Sequence, residues 1–239
     1  MYTVDTILLK LKLRINKLDS QDYDNLEVWQ LLEAYNRAQI LWVRKNLHGL
    51  NALQEGDDAS KRRIDDMQVL LRRSDLNLVK KDKKAKKLIV GPIPEDYMVF
   101  KELRLIASND CCPEGKDIVV YLASTSDDRL LRSNNLTNFS FDWGETVAYL
   151  VNNNFEIDFD FEEADFNGAV LTYYKYPRLV EKTGHVNVIT NTISASDVGS
   201  EFNDDVTENI IIYAAALIGG DIIDGDIVNI NLNNEQQTN

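Results

Sequence analysis

The hydrophobic period of this chain changes twice, and that constrains the fold more than any single motif. Up to about residue 71 the apolar residues recur at helical steps. Val4, Ile7, Leu8, Leu11, Ile15 and Leu18 form one stripe. Asp22 or Asp24 then offers an N-cap oxygen to a second helix running to about Asn46, striped by Val28, Leu31, Leu32, Tyr35, Ala38 and Trp42. Leu26, Trp29, Ile40 and Val43 give it a second apolar side, so more than one neighbour must cover it. His48-Gly49-Leu50-Asn51 stops it, with Gly49 able to take the left-handed cap conformation. After Asp57-Asp58 a third helix is carried by Ile64, Met67 and Leu71. Short polar loops between three such helices predict a small bundle.

Beyond Gly91-Pro92-Ile93-Pro94 the pattern turns to short runs of β-branched and aromatic residues. These are Ile118–Leu122, Thr146–Val151, Phe155–Phe161, Val170–Tyr176 and Val186–Ile189, separated by Asn-, Gly-, Asp- and Pro-rich turns. They predict an antiparallel sandwich or barrel. Asn167-Gly168 reads as a hairpin turn. Tyr97 to Ala107 suits either helix or strand and is assigned to strand. Helical character returns after residue 200: Asp204-Asp205 place negative charge at a helix N-terminus, and Val206, Ile210, Tyr213 and Leu217 form its stripe. Ile211, Ile212, Ala215 and Ile218 fill its other faces, so this helix must be buried in the bundle or between subunits. The expected organisation is α+β: a helical bundle with a Lys-rich linker over 1–90, an inserted β domain over 91–200, a return helix packing on the bundle over 201–220, and an extended C-terminal arm over 221–239.

Charge is as uneven as period. Residues 1–87 hold 18 Lys/Arg against 13 Asp/Glu, whereas the remainder holds 8 against 26, and the whole chain carries −13. An acidic body repels phosphate, which excludes a nucleic-acid recognition module and suits a surface past which DNA slides without sticking. Lys80, Lys81, Lys83, Lys84, Lys86 and Lys87 form a local exception, read either as a solvated linker or as an electrostatic contact with DNA or an acidic neighbour. Phe155 to Phe161 alternates strictly, putting aromatics on one face and Glu156, Asp158 and Asp160 on the other, with Glu162 continuing the row. That row is a solvated acidic face or the wall of a channel.

Chemistry-bearing motifs are sparse. His48 sits in a helix-ending loop and His185 follows a turn glycine, neither with ligands at metal-binding spacing. The adjacent Cys111 and Cys112, the only cysteines, exclude a disulfide scaffold, fit a turn without redox function, and suit a reducing compartment. No phosphate-cradling glycine loop or nucleophile elbow occurs. Asp158 to Glu163 lacks the glycine of a calcium loop, and Gly219-Gly220-Asp221 with Asp224-Gly225-Asp226 is too short to count as a calcium-binding repeat. Trp29, Trp42 and Trp143 read as core or interface anchors. No apolar run approaches the roughly 20 residues that cross a bilayer, and no secretory leader is evident, so the expectation is a soluble, intracellularly made protein without cofactor, metal or catalytic residues.

Four stretches carry a resemblance: Trp29 to Ala38, Ile93-Pro94-Glu95-Asp96-Tyr97, Leu171 to Pro177, and the acidic Glu201–Asp205 running into Ile210 to Ala216. In this order they resemble the head-to-tail connector or adaptor ring proteins of short-tailed phages, of the tail tubular protein A type, and especially the ring proteins of crAss-like phages. The resemblance implies a non-enzymatic subunit of a ring of about twelve copies. It would dock beneath the portal protein, contact other connector or tail proteins, and surround a channel through which DNA passes without sequence-specific binding. It would reside at the head–tail interface of the virion after synthesis in the host bacterial cytoplasm, with no membrane partner. Within that reading the six lysines with Ile211, Ile212 and Ile218 are the interface candidates, and Glu156, Asp158, Asp160 and Glu162 the channel or acidic face. Another tail or collar protein, a carboxylate-dependent hydrolase and a host peptide-binding adaptor are the alternative expectations.

Overall fold

The computed structural model describes residues 2–15, 26–47, 65–127 and 139–221. The protein is mixed α+β and divides into two units: Leu71–Tyr176, and Met1–Leu70 together with Pro177–Asn239. The first is a closed seven-stranded barrel. Its strands are β1 (Leu71–Asp82), β2 (Lys87–Gly91), β3 (Tyr97–Asn109), β4 (Cys112–Ala123), β5 (Glu145–Val151), β6 (Asn154–Asp158) and β7 (Asp165–Lys175). They pair in the order β1-β2-β6-β5-β4-β3-β7, and β7 closes onto β1 from Leu71↔Tyr174 to Leu76↔Ala169. Period-2 alternation fills the interior: Leu88 and Val90 on β2, Leu103 and Leu105 on β3, Ile118 and Val120 on β4, Phe155 and Ile157 on β6, and Leu171 on β7 are all buried in one core. The barrel is therefore packed, not a pore.

The barrel corrects several expectations. It begins at Leu71 instead of residue 91, so the lysine run is a hairpin inside it and not a linker. Leu71 opens a strand and does not end a helix; Met67 is helical within the described residues 65–67, which run into the 3₁₀ turn Gln68–Leu70, and the rest of the expected third helix lies outside the described residues. Ile64 lies outside the described residues. One pair, β4–β5, is parallel (Val119↔Glu145 through Ala123↔Tyr149), which the long connection between them permits. Asn167-Gly168 lies within β7, where a register shift between the pairs Ile106↔Gly168 and Ala107↔Phe166 leaves Asn167 as the extra residue, and makes no hairpin. Cys111 does sit in the β3–β4 turn, where Asn109 Oδ1 accepts the amides of Cys111 (3.1 Å) and Cys112 (2.8 Å).

In the other unit, α1 (Val4–Ile15), α2 (Val28–Leu47) and α3 (Asp204–Asp221) form where the stripes predict helices, and α3 packs against both α2 and α1. Val4, Ile7, Leu8, Leu11 and Ile15 bury one face of α1, and Trp42 of α2 meets Phe202 edge-on at 5.7 Å. Residues 177–202 belong here and not to the β domain, because α2 holds them with polar groups. Asn36 accepts the Val180 amide (2.8 Å) and donates to its carbonyl (3.0 Å), while Gln39 donates to the Arg178 carbonyl (3.1 Å). Glu201 Oε1 accepts the Arg178 amide at 2.7 Å. Asn36 and Gln39 are almost wholly buried. Burial of Tyr35 pushes its phenol up to about 12, partly offset by the nearby Ser200 and Thr207 hydroxyls. No helix among the described residues is long and apolar enough to cross a membrane. The expected arm beyond residue 221 lies outside the described residues.

Candidate functional site

The two charged sequence features meet on the barrel. The β1–β2 turn is closed by Asp82, whose Oδ1 accepts the Ala85 amide at 3.1 Å; that bond, with nearby lysines, lowers its pKa. Lys86 follows at φ 50°, and its carbonyl accepts the Phe159 amide (3.0 Å), prolonging the β2–β6 ladder. This aligns lysine with acid. Lys87 Nζ lies 2.9 Å from Glu156 and Lys86 Nζ 2.5 Å from Asp160. The Lys86 bond and the Glu162 amide hold the Asp160 carboxyl below its usual range, and Asp160 in turn raises Lys86. Lys84, Ala85, Lys86, Phe139, Asp158 and Phe159 line a cavity of about 400 Å³ beside these pairs.

The expected acidic row is thus not a continuous bare face. β6 ends at Asp158, which is 7% exposed and whose carbonyl accepts the Thr146 hydroxyl at 2.6 Å. Glu156 and Asp160 are neutralised by lysines, and only Glu162 stands open. The cause is register: Ile89↔Glu156 and Lys87↔Asp158 lay the base of the lysine hairpin along β6. Lys86 and Lys87 are therefore committed within the chain, whereas Lys80, Lys81, Lys83 and Lys84 are exposed, with Lys80 3.8 Å from Asp82. Ile211, Ile212 and Ile218, expected as contact residues, are instead buried in the chain's own helical unit, at 0%, 4% and 6% exposure. Sequence reasoning had allowed either outcome for an all-round apolar helix, and α1 and α2 decide it.

Exposed apolar side chains that the sequence reading did not single out lie elsewhere. On α1, Leu9 and Leu13 are 60% and 63% exposed; a helical spacing of four makes them neighbours. A short hairpin pairing Val186↔Ile193 and Asn187↔Thr192 exposes Val186, Val188, Ile189 and Ile193. On β1, Leu78 and Val79 are exposed beside the lysines. The only sequence signal for these was an apolar residue off the main stripe. Trp42 is core, Trp29 half-exposed, and Trp143 84% exposed.

The short hairpin is tethered by charge. Asp197 accepts the Thr183 amide (2.8 Å), the Thr183 hydroxyl (2.7 Å) and Lys182 (3.3 Å), and Lys182 also reaches Asp5 at 2.8 Å. The Thr183 donors, with Lys182, hold the Asp197 carboxyl down at about 2. A depressed carboxyl contributes stability above its unfolded value of about 3.9 and loses it as pH falls through the folded value. Acidification through about pH 2 is therefore expected to release the Thr183 amide, read as a shift of its NMR resonance. Asp197→Asn should abolish that step; a Thr183 resonance titrating identically in the variant would refute the assignment.

Among the described residues no group of three or more His, Cys, Asp or Glu is placed to hold a metal ion, and His48 lies outside them. A comparison of the sequence with protein-family models and with curated proteins finds no match.

Proposed function

We propose that the protein is a structural, non-enzymatic subunit of a head-to-tail connector ring of a short-tailed phage. The observation that carries the reading is the set of large apolar side chains left in water on separate elements: Leu9 and Leu13 on α1, and Val186, Val188, Ile189 and Ile193 on the short hairpin. Apolar clusters of this kind mark surfaces that another protein covers. The order of elements supports it: helices, an inserted barrel and a returning helix follow the layout that the resemblance implies. In this reading the three helices act as a bundle, residues 221–239 as an arm, and the acidic surface keeps the DNA channel slippery. The ring docks under the portal and links capsid to tail.

Light scattering and negative-stain imaging of the purified protein, with and without a portal, test the proposal. Rings of about a dozen copies, alone or on the portal, are expected. A monodisperse monomer indifferent to any portal sinks it. The four solvent-facing lysines contact acidic surface of a neighbouring copy. Changing Lys80, Lys81, Lys83 and Lys84 to glutamate should weaken ring formation and flatten its salt dependence. Equal assembly at every salt concentration would remove the lysines from the interface.

A further inference from the structure

From Asn77 to Asp82, β1 has ladder partners on its β2 side only, and Val79 bulges out between the pairs Leu78↔Val90 and Lys80↔Ile89. The β1–β7 ladder ends at Leu76↔Ala169. Past that pair β1 continues to Asp82 with β2 as its neighbour, from Asn77↔Gly91 to Asp82↔Lys87. β7 runs the other way through Gly168, Phe166 and Asp165, pairing with β3 alone. Beyond Leu76↔Ala169, therefore, β1 and β7 no longer pair with each other. Among the described residues, nothing pairs with the outer edge of β1 from Asn77 to Lys81. Leu78 is 41% and Val79 55% exposed there.

An unpaired edge flanked by aliphatic side chains is a template for another strand. Lysines on an edge ordinarily deter pairing, but they do so selectively. Lys80, Lys81, Lys83 and Lys84 repel a basic strand and attract an acidic one. The chain carries such a segment. Residues 222–239 contain Asp224, Asp226 and Glu235 and no lysine or arginine. Within them Val228, Ile230 and Leu232 alternate with Asn229, Asn231 and Asn233, the period of a strand with one aliphatic face. The segment follows directly on α3, and extended it spans up to about 60 Å.

We infer that the free edge of β1 receives residues 226–233 of a second copy as an added strand. Main-chain hydrogen bonds then give the affinity, and the bulge at Val79, which breaks strict alternation, lets Leu78 and Val79 together cover the Val228–Ile230–Leu232 face. A donor segment on one copy and an acceptor edge on the next make a head-to-tail contact, the kind that closes into a ring. The inference rests on the reading of the protein as a self-assembling subunit and specifies which parts join.

Full-length protein, Val79→Glu and a form ending at Asp221 would be compared by light scattering and negative stain, with circular dichroism confirming that each is folded. Each change should weaken association by about tenfold or more, and the two together no further than either alone, because both remove one contact. A synthetic peptide of residues 222–239 should disperse the wild-type assembly. In a Cys111→Ser/Cys112→Ser background, protein carrying Val79→Cys should form a disulfide with separate protein carrying Ile230→Cys. Rings that persist in both variants overturn the edge contact and leave the ring reading standing. A wild-type monomer, with or without portal, overturns both. Cross-linking confined to a single copy carrying both cysteines overturns the exchange between copies.

Discussion

Phe155→Ala is expected to destabilise the barrel by about 4 kcal/mol, the loss typical of a fully buried phenylalanine whose cavity cannot collapse. Phe155 has no exposed surface and packs its ring 6.0 Å from that of Phe100. It stands on β6, between β2 and β5, where closure of the barrel limits relaxation. Hydrogen exchange of β6 amides is the appropriate reporter. Tryptophan fluorescence would miss the event, since the barrel's one tryptophan, Trp143, is already 84% exposed. Phe155→Leu should lose roughly half as much. An alanine variant within about 1 kcal/mol of wild type would mean that the interior repacks freely.

Asn36→Ala is expected to cost the helical unit about 3 kcal/mol, because it orphans both the amide and the carbonyl of buried Val180. The expense lies in what is left behind, not in the side chain removed. Trp42, buried on the same helix against Phe202, reports this transition by fluorescence. Asn36→Asp keeps the acceptor for the Val180 amide, loses the donor and buries a charge, so it should be no milder than alanine. A loss below about 1 kcal/mol for Asn36→Ala would show that water or Gln39 replaces the missing partner.

The helices were legible because their burial is a property of a single element: the stripe Val4-Ile7-Leu8-Leu11-Ile15 is the buried face of α1 as written. The strands were legible where β-branched residues lay clear of charge, as in Ile118–Leu122. β1 and β2 were not. Leu88 and Val90 are barrel core, but five residues of lysine-rich hairpin precede them, and solvent-facing lysine is equally natural in a linker. Whether Glu156 and Asp160 formed a bare acidic row depended on which strand lay beside β6. That is a long-range register, set by closure and invisible in local period. The fate of Ile211 and Ile212 was undetermined for the same reason, since an apolar helix does not specify whether its own chain or another covers it. Asn36 gave no signal at all: a polar residue on a helix reads as solvent-facing until its partner, 144 positions away, is known.

The pairing of Leu71 with Tyr174 places the two ends of the barrel beside each other, and this bears on the order of folding. Asn36 and Val180 are separated by 144 residues, and bringing them together in an unstructured chain means closing a loop of that length. Once the barrel has formed, its 71–176 span acts as a single step, leaving roughly 40 free residues in the loop and lowering the closure entropy by about 1 kcal/mol. Each helix stripe forms locally, but the contact joining α2 to the returning chain becomes easier only after the insertion between them has folded. Folding of the barrel thus shortens the path by which the helical unit completes itself.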